Sequence, residues 1–422
     1  MSVIGKNPNL SVNGIRPART LLPKYRQVIG DCSYLFPQPF TLEWTVAGDA
    51  AARTITLPLV SGYNYNFVIN WDDGTTPSLV TAYNDANRIH TYASDGTYIT
   101  RIYGVMEGWS FNDGGDKTKI TKVVHWGSYP VFEGFKYLKA GFYGCSNLTQ
   151  AGTGPIPASG TGITDFSNVF RDCTSLTSIP SGLFDSLVNV TNISGLFYNC
   201  TGLTSIPSGL FDNNTSVSGN VASVFYNCSG IASIPSGLLD SLSGITNANF
   251  FFARCYSLTS IPSGLLDTWT NVTNLNVFFQ YCTSLVSIPS GLFDNCTNVT
   301  SMQGCFAYCN SLETISDNLC RLLTSCLNFS NMFYGCNKLQ QNPTTFYAAG
   351  EQSTRFLNQS PDFESCFERN SFTGTQGTAS DLWNCSFGTG TPTTTDCWAG
   401  AGNSAASLTN YASIPSAWGG PA

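Results

Sequence analysis

The feature that most constrains this chain is the motif Phe-x-x-Cys, which recurs nine times. The copies follow one another at intervals of 27 or 28 residues until a last interval of 30. In five copies the string Ser-Ile-Pro-Ser-Gly-Leu comes after the cysteine. A fixed period of this length predicts a solenoid, in which each repeat packs on its neighbours. The nine cysteines are Cys145, Cys173, Cys200, Cys228, Cys255, Cys282, Cys309, Cys336 and Cys366.

Each repeat also has apolar positions at constant offsets from its cysteine. Leu203 and Ile206 follow Cys200 at spacings of three and six residues, and the same pair recurs in later repeats. A proline then ends the short extended segment because it has no backbone N–H to donate. The phenylalanine of each motif is expected in the core. The pattern predicts a mainly β fold with short helical turns and about nine coils of this period.

These repeats resemble the BspA-like leucine-rich repeats of bacterial and mycoplasma surface proteins. Variants of that family contain M-F-x-x-C-x-x-L-T-S-I-P and N-V-T-N in the same order, and residues 141–370 agree with them in repeat length, phase and residue type. The resemblance implies a leucine-rich-repeat solenoid that serves as a binding surface. The chain departs from the family because neither a signal peptide nor a surface anchor is visible.

The region before the repeats has the alternation of apolar and polar residues that is typical of half-buried strands. Residues 54–57, 63–69 and 97–103 are predicted strands of a small β-sandwich. Within it, Trp71-Asp72-Asp73-Gly74-Thr75, His90-Thr91-Tyr92 and Gly96-Thr97-Tyr98 resemble the PKD family of immunoglobulin-like domains. That resemblance implies a spacer or adhesion module, with turn roles for Asp72 and Asp73 and a core role for Tyr98.

The chain is therefore expected to have four segments. Residues 1–38 are interrupted by prolines and predict an extended basic arm. Residues 39–140 form the PKD-like β-sandwich, and residues 141–370 form the solenoid. Residues 371–422 are rich in Gly, Ser and Thr and repeat the string Ser-Ile-Pro-Ser at residues 413–416, which predicts a C-terminal cap.

Charge separates the arm from the repeats. Charged residues make up only 11% of the chain, and its net charge is −7. Residues 141–312 contain seven Asp and only two bases, Arg171 and Arg254, so nucleic acid is not an expected partner of the repeats. Residues 1–30 contain no acid, and their bases form a predicted docking arm: Lys6, Arg16, Arg19, Lys24 and Arg26.

No membrane insertion is expected. No segment approaches 18 consecutive apolar residues, so no membrane span is predicted. Residues 1–31 lack the apolar run and cleavage site of a secretory signal. These observations predict synthesis in a cytoplasm.

The cysteines at the repeat position are expected to form a structural ladder. Equivalent positions of adjacent coils lie about 4.7 Å apart, a distance that also allows disulfides, but a parallel stack disfavours the required S–S dihedral angle. A buried ladder of free thiols, each a small hydrophobe and weak donor, is the favoured interpretation. No metal site is expected, because the remaining cysteines lack CxxC spacing and only His90 and His125 are available.

The sequence offers little for catalysis and no cofactor motif. His90 and His125 are distant from each other in sequence, and neither accompanies a recognisable nucleophile motif. No GxGxxG, Walker loop or HExxH is present. The chain is therefore predicted to be no enzyme and to need no cofactor.

Two columns of the repeats are candidate binding positions. The first consists of aspartates that would line a stripe about 20 Å long; they either cap a turn, which is favoured, or bind a cation or ligand. The second column is the residue that follows each repeat phenylalanine. Exposed tyrosines next to Asn and Asp are typical of sugar-binding faces, but ordinary surface variation explains them equally well. The candidates are Asp185, Asp212, Asp240, Asp267, Asp294, Tyr143, Tyr198, Tyr226 and Tyr334.

Three functional hypotheses follow. The favoured one is a virion structural protein, such as a phage head decoration, fibre or tail-associated component. It would dock on a capsid or other virion protein through the arm and bind a host surface glycan or protein through the repeats. The second is a bacterial cell-surface adhesin of the BspA-like kind. The third is an intracellular scaffold that holds protein partners.

Overall fold

A computed structural model describes residues 37–160, 162–316, 318–340, 346–348, 350–369, 377–400 and 408–421. From Gln38 onward the chain forms one compact unit. The predicted docking arm, with Lys6, Arg16, Arg19, Lys24 and Arg26, lies outside the described residues. Within the described ranges, no helix is both long and apolar enough to span a bilayer.

The fold is mainly β. Ten strands lie in the described residues, namely β1 (Phe40–Val46), β2 (Thr54–Thr56), β3 (Tyr65–Asn70), β4 (Ser78–Val80), β5 (Ile89–Thr91), β6 (Gly96–Met106), β7 (Ile120–Trp126), β8 (Gln150–Thr153), β9 (Ser218–Asn220) and β10 (Gly244–Asn247). Helical structure in the same residues is limited to short 3₁₀ helices: Ala86–Arg88, Leu382–Asn384, Tyr411–Ser413 and Ser416–Trp418. The strands predicted at residues 54–57, 63–69 and 97–103 correspond to β2, β3 and β6.

Two sheets share the apolar core of the first part of the chain. Six strands form one sheet in the order β4-β3-β6-β1-β7-β8, and β2 pairs with β5 in the other. Strand β1 lies between β6 and β7 and is antiparallel to both. Its alternating residues explain this place, because Phe40, Leu42 and Trp44 are all fully buried.

The six-stranded sheet continues into the first repeat. Strand β8 pairs in parallel with β7, so that Val123 lies opposite Ala151. Next to this pair, the backbone N–H of Phe111 donates to the carbonyl of Gly141 at 3.2 Å. The N–H of Phe142 in turn donates to the carbonyl of Val169 in the following repeat, at 2.8 Å. Backbone hydrogen bonds therefore run without interruption across residue 140, and the predicted domain boundary there stays a prediction.

Successive repeats are joined by parallel backbone hydrogen bonds between equivalent positions through most of the array. The N–H of Phe197 donates to the carbonyl of Val224 at 2.9 Å, and the N–H of Asn199 donates to the carbonyl of Tyr226 at 2.7 Å. The same two bonds recur in later repeats. Apart from β8, β9 and β10, extended pairing in the described part of the repeats is limited to isolated parallel bridges. After Cys145 the predicted short strand corresponds to β8, whereas in later repeats it is reduced to single bridge residues, such as Ser233 and Ser260, within a short segment between turns.

A column of stacked aromatic rings forms the core of the repeats. Rings of successive repeats lie 5.3 to 5.8 Å apart from Phe142 through Phe367. Trp398 extends the column, with its ring centroid 4.3 Å from that of Phe367. The expectation that the repeat phenylalanines are core residues is confirmed, since each side chain is at most 1% exposed.

The chain after Trp398 returns to this column. The N–H of Trp398 donates to the carbonyl of Trp418 at 2.8 Å, and the side chain of Thr394 donates to the carbonyl of Ala417 at 2.9 Å. Residues 408–421 thus lie against the last member of the column. Their role as a cap stays a prediction.

Candidate binding surface of the repeats

The repeat cysteines lie in the core and are not bridged. Cys145, Cys173, Cys200 and the others described are free and buried. Seven of them donate their thiol hydrogen to the carbonyl of the phenylalanine one repeat earlier, at 2.9 to 3.4 Å: Cys173, Cys200, Cys228, Cys255, Cys282, Cys309 and Cys336. Each thiol therefore links two neighbouring repeats.

Burial controls the acidity of these thiols. It raises the pKa of Cys255 to about 12, although a backbone hydrogen bond from Cys228 opposes part of the rise. Burial likewise raises the pKa of Cys228 and Cys282 well above the ordinary thiol value. A buried thiol with a raised pKa is a poor nucleophile, so this column has no reactive thiolate to offer.

The ninth predicted ladder member occupies a different column. The N–H of Phe333 donates to the carbonyl of Cys366, and the ring of Phe367 stacks on Phe333 at 5.3 Å. Cys366 therefore precedes the stacked phenylalanine, as Cys305 does before Phe306. The Phe-x-x-Cys match at residues 363–366 is out of register because the interval from Phe333 to Phe367 is longer than the earlier intervals of the column. The predicted ladder has eight members in register among the described residues.

The five predicted aspartates lie on the surface. Asp185, Asp212, Asp240, Asp267 and Asp294 are all exposed. One side-chain bond links this column to its neighbour, from Asn213 Nδ2 to Asp185 Oδ1 at 3.3 Å. At the next equivalent position the residue is Arg321, whose Nη2 lies 2.7 Å from Glu351 Oε1. Whether the aspartates cap turns or bind a ligand stays a prediction, and no group of three potential ligands that could hold a metal ion occurs among the described residues.

The predicted tyrosines lie in a continuous row of partly exposed rings. The guanidinium of Arg171 lies over the ring of Tyr198 at 4.0 Å and that of Tyr143 at 5.2 Å. Tyr198 stacks on Tyr226, with ring centroids 4.6 Å apart and planes 14° from parallel. Three of the four predicted tyrosines are thus brought together, two of them by one arginine and the third by ring stacking.

The row continues through residues that the sequence analysis did not select. Arg254 lies 5.7 Å from the ring centroid of Tyr226 and 5.3 Å from that of Tyr281. Tyr281 stacks on Tyr308 at 4.4 Å, and Tyr308 contacts Tyr334 edge to face at 5.1 Å. We call these eight residues the tyrosine–arginine ribbon: Tyr143, Arg171, Tyr198, Tyr226, Arg254, Tyr281, Tyr308 and Tyr334.

The ribbon changes column, which explains why three of its eight residues were not predicted. Tyr143 and Tyr226 come one residue after the repeat phenylalanine, whereas Arg254, Tyr281 and Tyr308 come two residues after it. In those three repeats the residue directly after the phenylalanine is Ala253, Gln280 or Ala307, none of which is aromatic or basic. Aromatic or arginine residues at either of two adjacent offsets would have been the signal that identifies the whole row.

A row of amides and carboxylates lies beside the first half of the ribbon. Asn227 Nδ2 donates to Asn199 Oδ1 at 2.6 Å, and Asn199 Nδ2 donates to Asp172 Oδ1 at 2.7 Å. Arg171 Nε lies 3.6 Å from Asp172 Oδ2. Arg254 has no ion pair with any carboxylate of the described residues.

Three tyrosines of the ribbon are neutral hydrogen-bonding groups. Burial, with smaller contributions from Tyr226 and Asp172, raises the pKa of Tyr198 above its ordinary value, and the nearby Arg171 and Arg254 oppose part of the rise. Burial and the adjacent ring also raise the pKa values of Tyr281 and Tyr308. Their phenols therefore stay protonated at neutral pH and are available both to donate and to accept hydrogen bonds.

Both histidines take part in local structure. His90 Nε2 lies 2.7 Å from Asp73 Oδ2, and the imidazole stacks on Trp71 at 4.7 Å. His125 Nδ1 accepts a hydrogen bond from the N–H of Gly127 at 2.9 Å, and burial lowers the pKa of this histidine. These contacts fit the structural interpretation of His90 and His125.

Comparison with known proteins identifies a family for the repeats. Residues 142–237 and 246–365, just over half of the chain, match the family described as "Mycoplasma protein of unknown function, DUF285". The chain belongs to this family. No curated protein matches the sequence of this DUF285 protein.

Solved structures similar to this DUF285 protein are leucine-rich repeat proteins. A leucine-rich repeat protein from Bacteroides ovatus is 16% identical, with 67% of this chain and 88% of that chain covered and a TM-score of 0.25. A leucine-rich cell surface protein from Faecalibacterium prausnitzii is 15% identical, with 64% and 86% covered and a TM-score of 0.21. A leucine-rich repeat protein from Eubacterium ventriosum is 12% identical, with 68% and 90% covered and a TM-score of 0.24.

Proposed function

We propose that this chain is a non-enzymatic adhesion protein that binds its target along the tyrosine–arginine ribbon. In this proposal residues 141–370 form a leucine-rich-repeat solenoid of about nine coils, residues 39–140 are a PKD-like spacer, and residues 371–422 cap the end. The observation that carries the proposal is the ribbon itself, which continues through eight consecutive repeats.

The composition of the ribbon supports binding. Tyrosine and arginine are the residue types that contribute most to binding energy at protein surfaces, together with tryptophan. Their side chains here are partly ordered by stacking on one another, so less conformational entropy is lost when a ligand binds. At about 4.8 Å for each repeat the ribbon is about 34 Å long, which suits an extended ligand.

The proposal also covers the surface on which this protein is displayed. We infer display on a virion surface, with residues 1–38 docked on a capsid or other virion protein, from the basic charge of that segment. Display on a bacterial cell surface is the alternative. Sedimentation of native lysate in a density gradient distinguishes them, since a virion component travels with capsid or tail proteins and a cell-surface protein is recovered with the envelope.

The binding role is tested with the full chain on immobilised glycans and extracellular glycoproteins, with serum albumin as the blank. Tyr226→Ser and Tyr281→Ser should each reduce retention on the bound members of the panel at least fivefold. Val286→Ser is the matched control, because Val286 is an exposed side chain outside the ribbon. Retention by no member of the panel, or retention that the two tyrosine variants leave unchanged, would exclude the ribbon as an adhesive surface.

A further inference from the structure

The chemistry of the ribbon indicates one class of ligand, an inference that rests on the function proposed above. We propose that the ribbon binds an acidic polysaccharide, whose widely spaced carboxylate or sulfate groups pair with Arg254 and Arg171. The polysaccharide lies along the ribbon, and its hydroxyl groups bond to the tyrosine phenols and the adjacent amides.

The faces of the tyrosine rings are largely covered within the ribbon. A neutral sugar usually binds an aromatic ring by lying flat on its face, but the faces of Tyr198 and Tyr226 are covered by each other and by the two arginines. Stacking at 4.4 Å covers Tyr281 and Tyr308 in the same way. What the ribbon offers to a ligand is therefore ring edges, phenol hydroxyls and the N–H edges of the guanidinium groups. These groups bind oxygen atoms, and the guanidinium groups favour oxygen atoms with negative charge.

The cations of this part of the chain are concentrated in the ribbon. Arg171 and Arg254 are the only Lys or Arg residues between residues 141 and 312, and both lie in the ribbon. Their guanidinium planes are held between tyrosine rings, which fixes the direction of the N–H groups before a ligand arrives. Since Arg254 has no carboxylate partner among the described residues, it is the principal anchor for an anionic group.

The two arginines are widely spaced along the ribbon. Three repeats separate the two arginines, which corresponds to about 14 Å at 4.8 Å for each repeat. A ligand with one negative charge in every few ångströms would place several charges between these two arginines with no cation to pair with them, beside the carboxylate of Asp172. Nucleic acid is such a ligand, so it is excluded by charge density. A polysaccharide with an acidic group on every second or third sugar places its charges at a matching interval.

The flanking amides supply the remaining contacts. The row from Asp172 through Asn199 to Asn227 runs parallel to the first half of the ribbon, one backbone position away. Amide and phenol groups both donate and accept hydrogen bonds, as sugar hydroxyls do. A chain of sugars can therefore form bonds in each repeat between the two charged anchors.

The test uses the full chain and hyaluronan, which has one carboxylate in every two sugars. Its matched control is carboxyl-reduced hyaluronan, in which the same backbone has lost its charge. We expect binding to hyaluronan at least tenfold stronger than to the reduced polymer, and a loss of about tenfold in Arg254→Gln because one charge-assisted contact is removed. Arg254→Lys should retain part of the affinity, while Val286→Ser, at an exposed side chain outside the ribbon, should retain all of it. Circular dichroism of each variant checks that the chain is folded.

The outcomes separate this inference from the adhesive role. Equal binding of both polymers, or stronger binding of poly-glutamate, would overturn the acidic polysaccharide as ligand and leave an adhesive ribbon in place. Loss of binding in Tyr226→Ser but not in Arg254→Gln would do the same. If neither variant changes any binding in the glycan and glycoprotein panel, both the ligand class and the ribbon's function are wrong.

Discussion

At the scale of single residues, the repeats depend on backbone positions with positive φ. Two residues before each stacked phenylalanine the chain has a φ near +60°, as at Asn168, Gly195, Gly304 and Asn331. Asn and Gly adopt this conformation most easily. Val277 occupies the same position with a φ of 61°, where a β-branched side chain is strained.

This strain predicts opposite effects of two reciprocal substitutions. Gly304→Val should lower the free energy of unfolding by about 1 to 2 kcal/mol, because a Cβ there meets no atom closer than 3.7 Å and the cost comes from the backbone alone. Val277→Gly should raise it by up to about 1 kcal/mol. Urea unfolding of both variants measures the changes, with Gly304→Asn as the tolerated control. Effects of the same sign would contradict the argument.

The sequence predicted the structural roles of residues whose type is constant from repeat to repeat. It did not predict the roles of residues whose type varies. The phenylalanines and cysteines recur at one offset, so their burial could be predicted from periodicity. Beyond Phe333 the intervals lengthen, first to Phe367 and then to Trp398, which hid the roles of these two residues in the same aromatic column. The ribbon depends on contacts between neighbouring repeats, and no pattern within one repeat reveals them.

At the scale of secondary-structure elements, the pair of β7 and β8 joins the first sheet to the repeats. The sequence of β8, Gln-Ala-Gly-Thr, has no apolar alternation, so a strand was not predicted there. It forms because β7 offers a parallel partner and because Gly152, with a φ of 85°, fits against Val123 and Trp126.

Because Gly152 packs so closely at this junction, we expect its substitution to lower the free energy of unfolding strongly. In Gly152→Ala the new methyl group would lie 2.7 Å from Val123 Cγ1 and 2.8 Å from Trp126 Nε1, in addition to the unfavourable φ. We expect a loss of about 3 kcal/mol from overpacking and backbone strain together. Gly219→Ala is the control, because Gly219 has a φ of 73° and nothing within 4 Å, so only about 1 kcal/mol should be lost. Thermal unfolding compares them, and equal losses would show that the junction tolerates the methyl group.

At the scale of the whole molecule, the cysteine column makes stability depend on pH in the alkaline range. Below about pH 9 the thiols are protonated in both the folded and the unfolded chain, so they add no pH dependence. Above it the unfolded chain releases protons that the folded chain retains, since burial raises the pKa of Cys255 and Cys336 to about 12. Stability must therefore fall as the pH rises from 9 towards 12.

Eight such thiols acting together should unfold the repeats well before pH 12. Above pH 9 each thiol lowers the free energy of unfolding by about 1.4 kcal/mol for every pH unit. At pH 10 the column therefore lowers it by on the order of 10 kcal/mol, which is comparable with the total stability of a typical domain. Urea midpoints measured under reducing conditions at pH 7.5, 9 and 10 should drop steeply above pH 9. Cys228→Ala combined with Cys255→Ala removes two of the fifteen buried thiols of the described residues and should make that drop about an eighth shallower, although the variant is less stable at pH 7.5. Tyrosines also ionise in this range, but they are unchanged in the variant. Parallel pH curves for the two proteins would assign the alkaline unfolding to the tyrosines instead of the thiols.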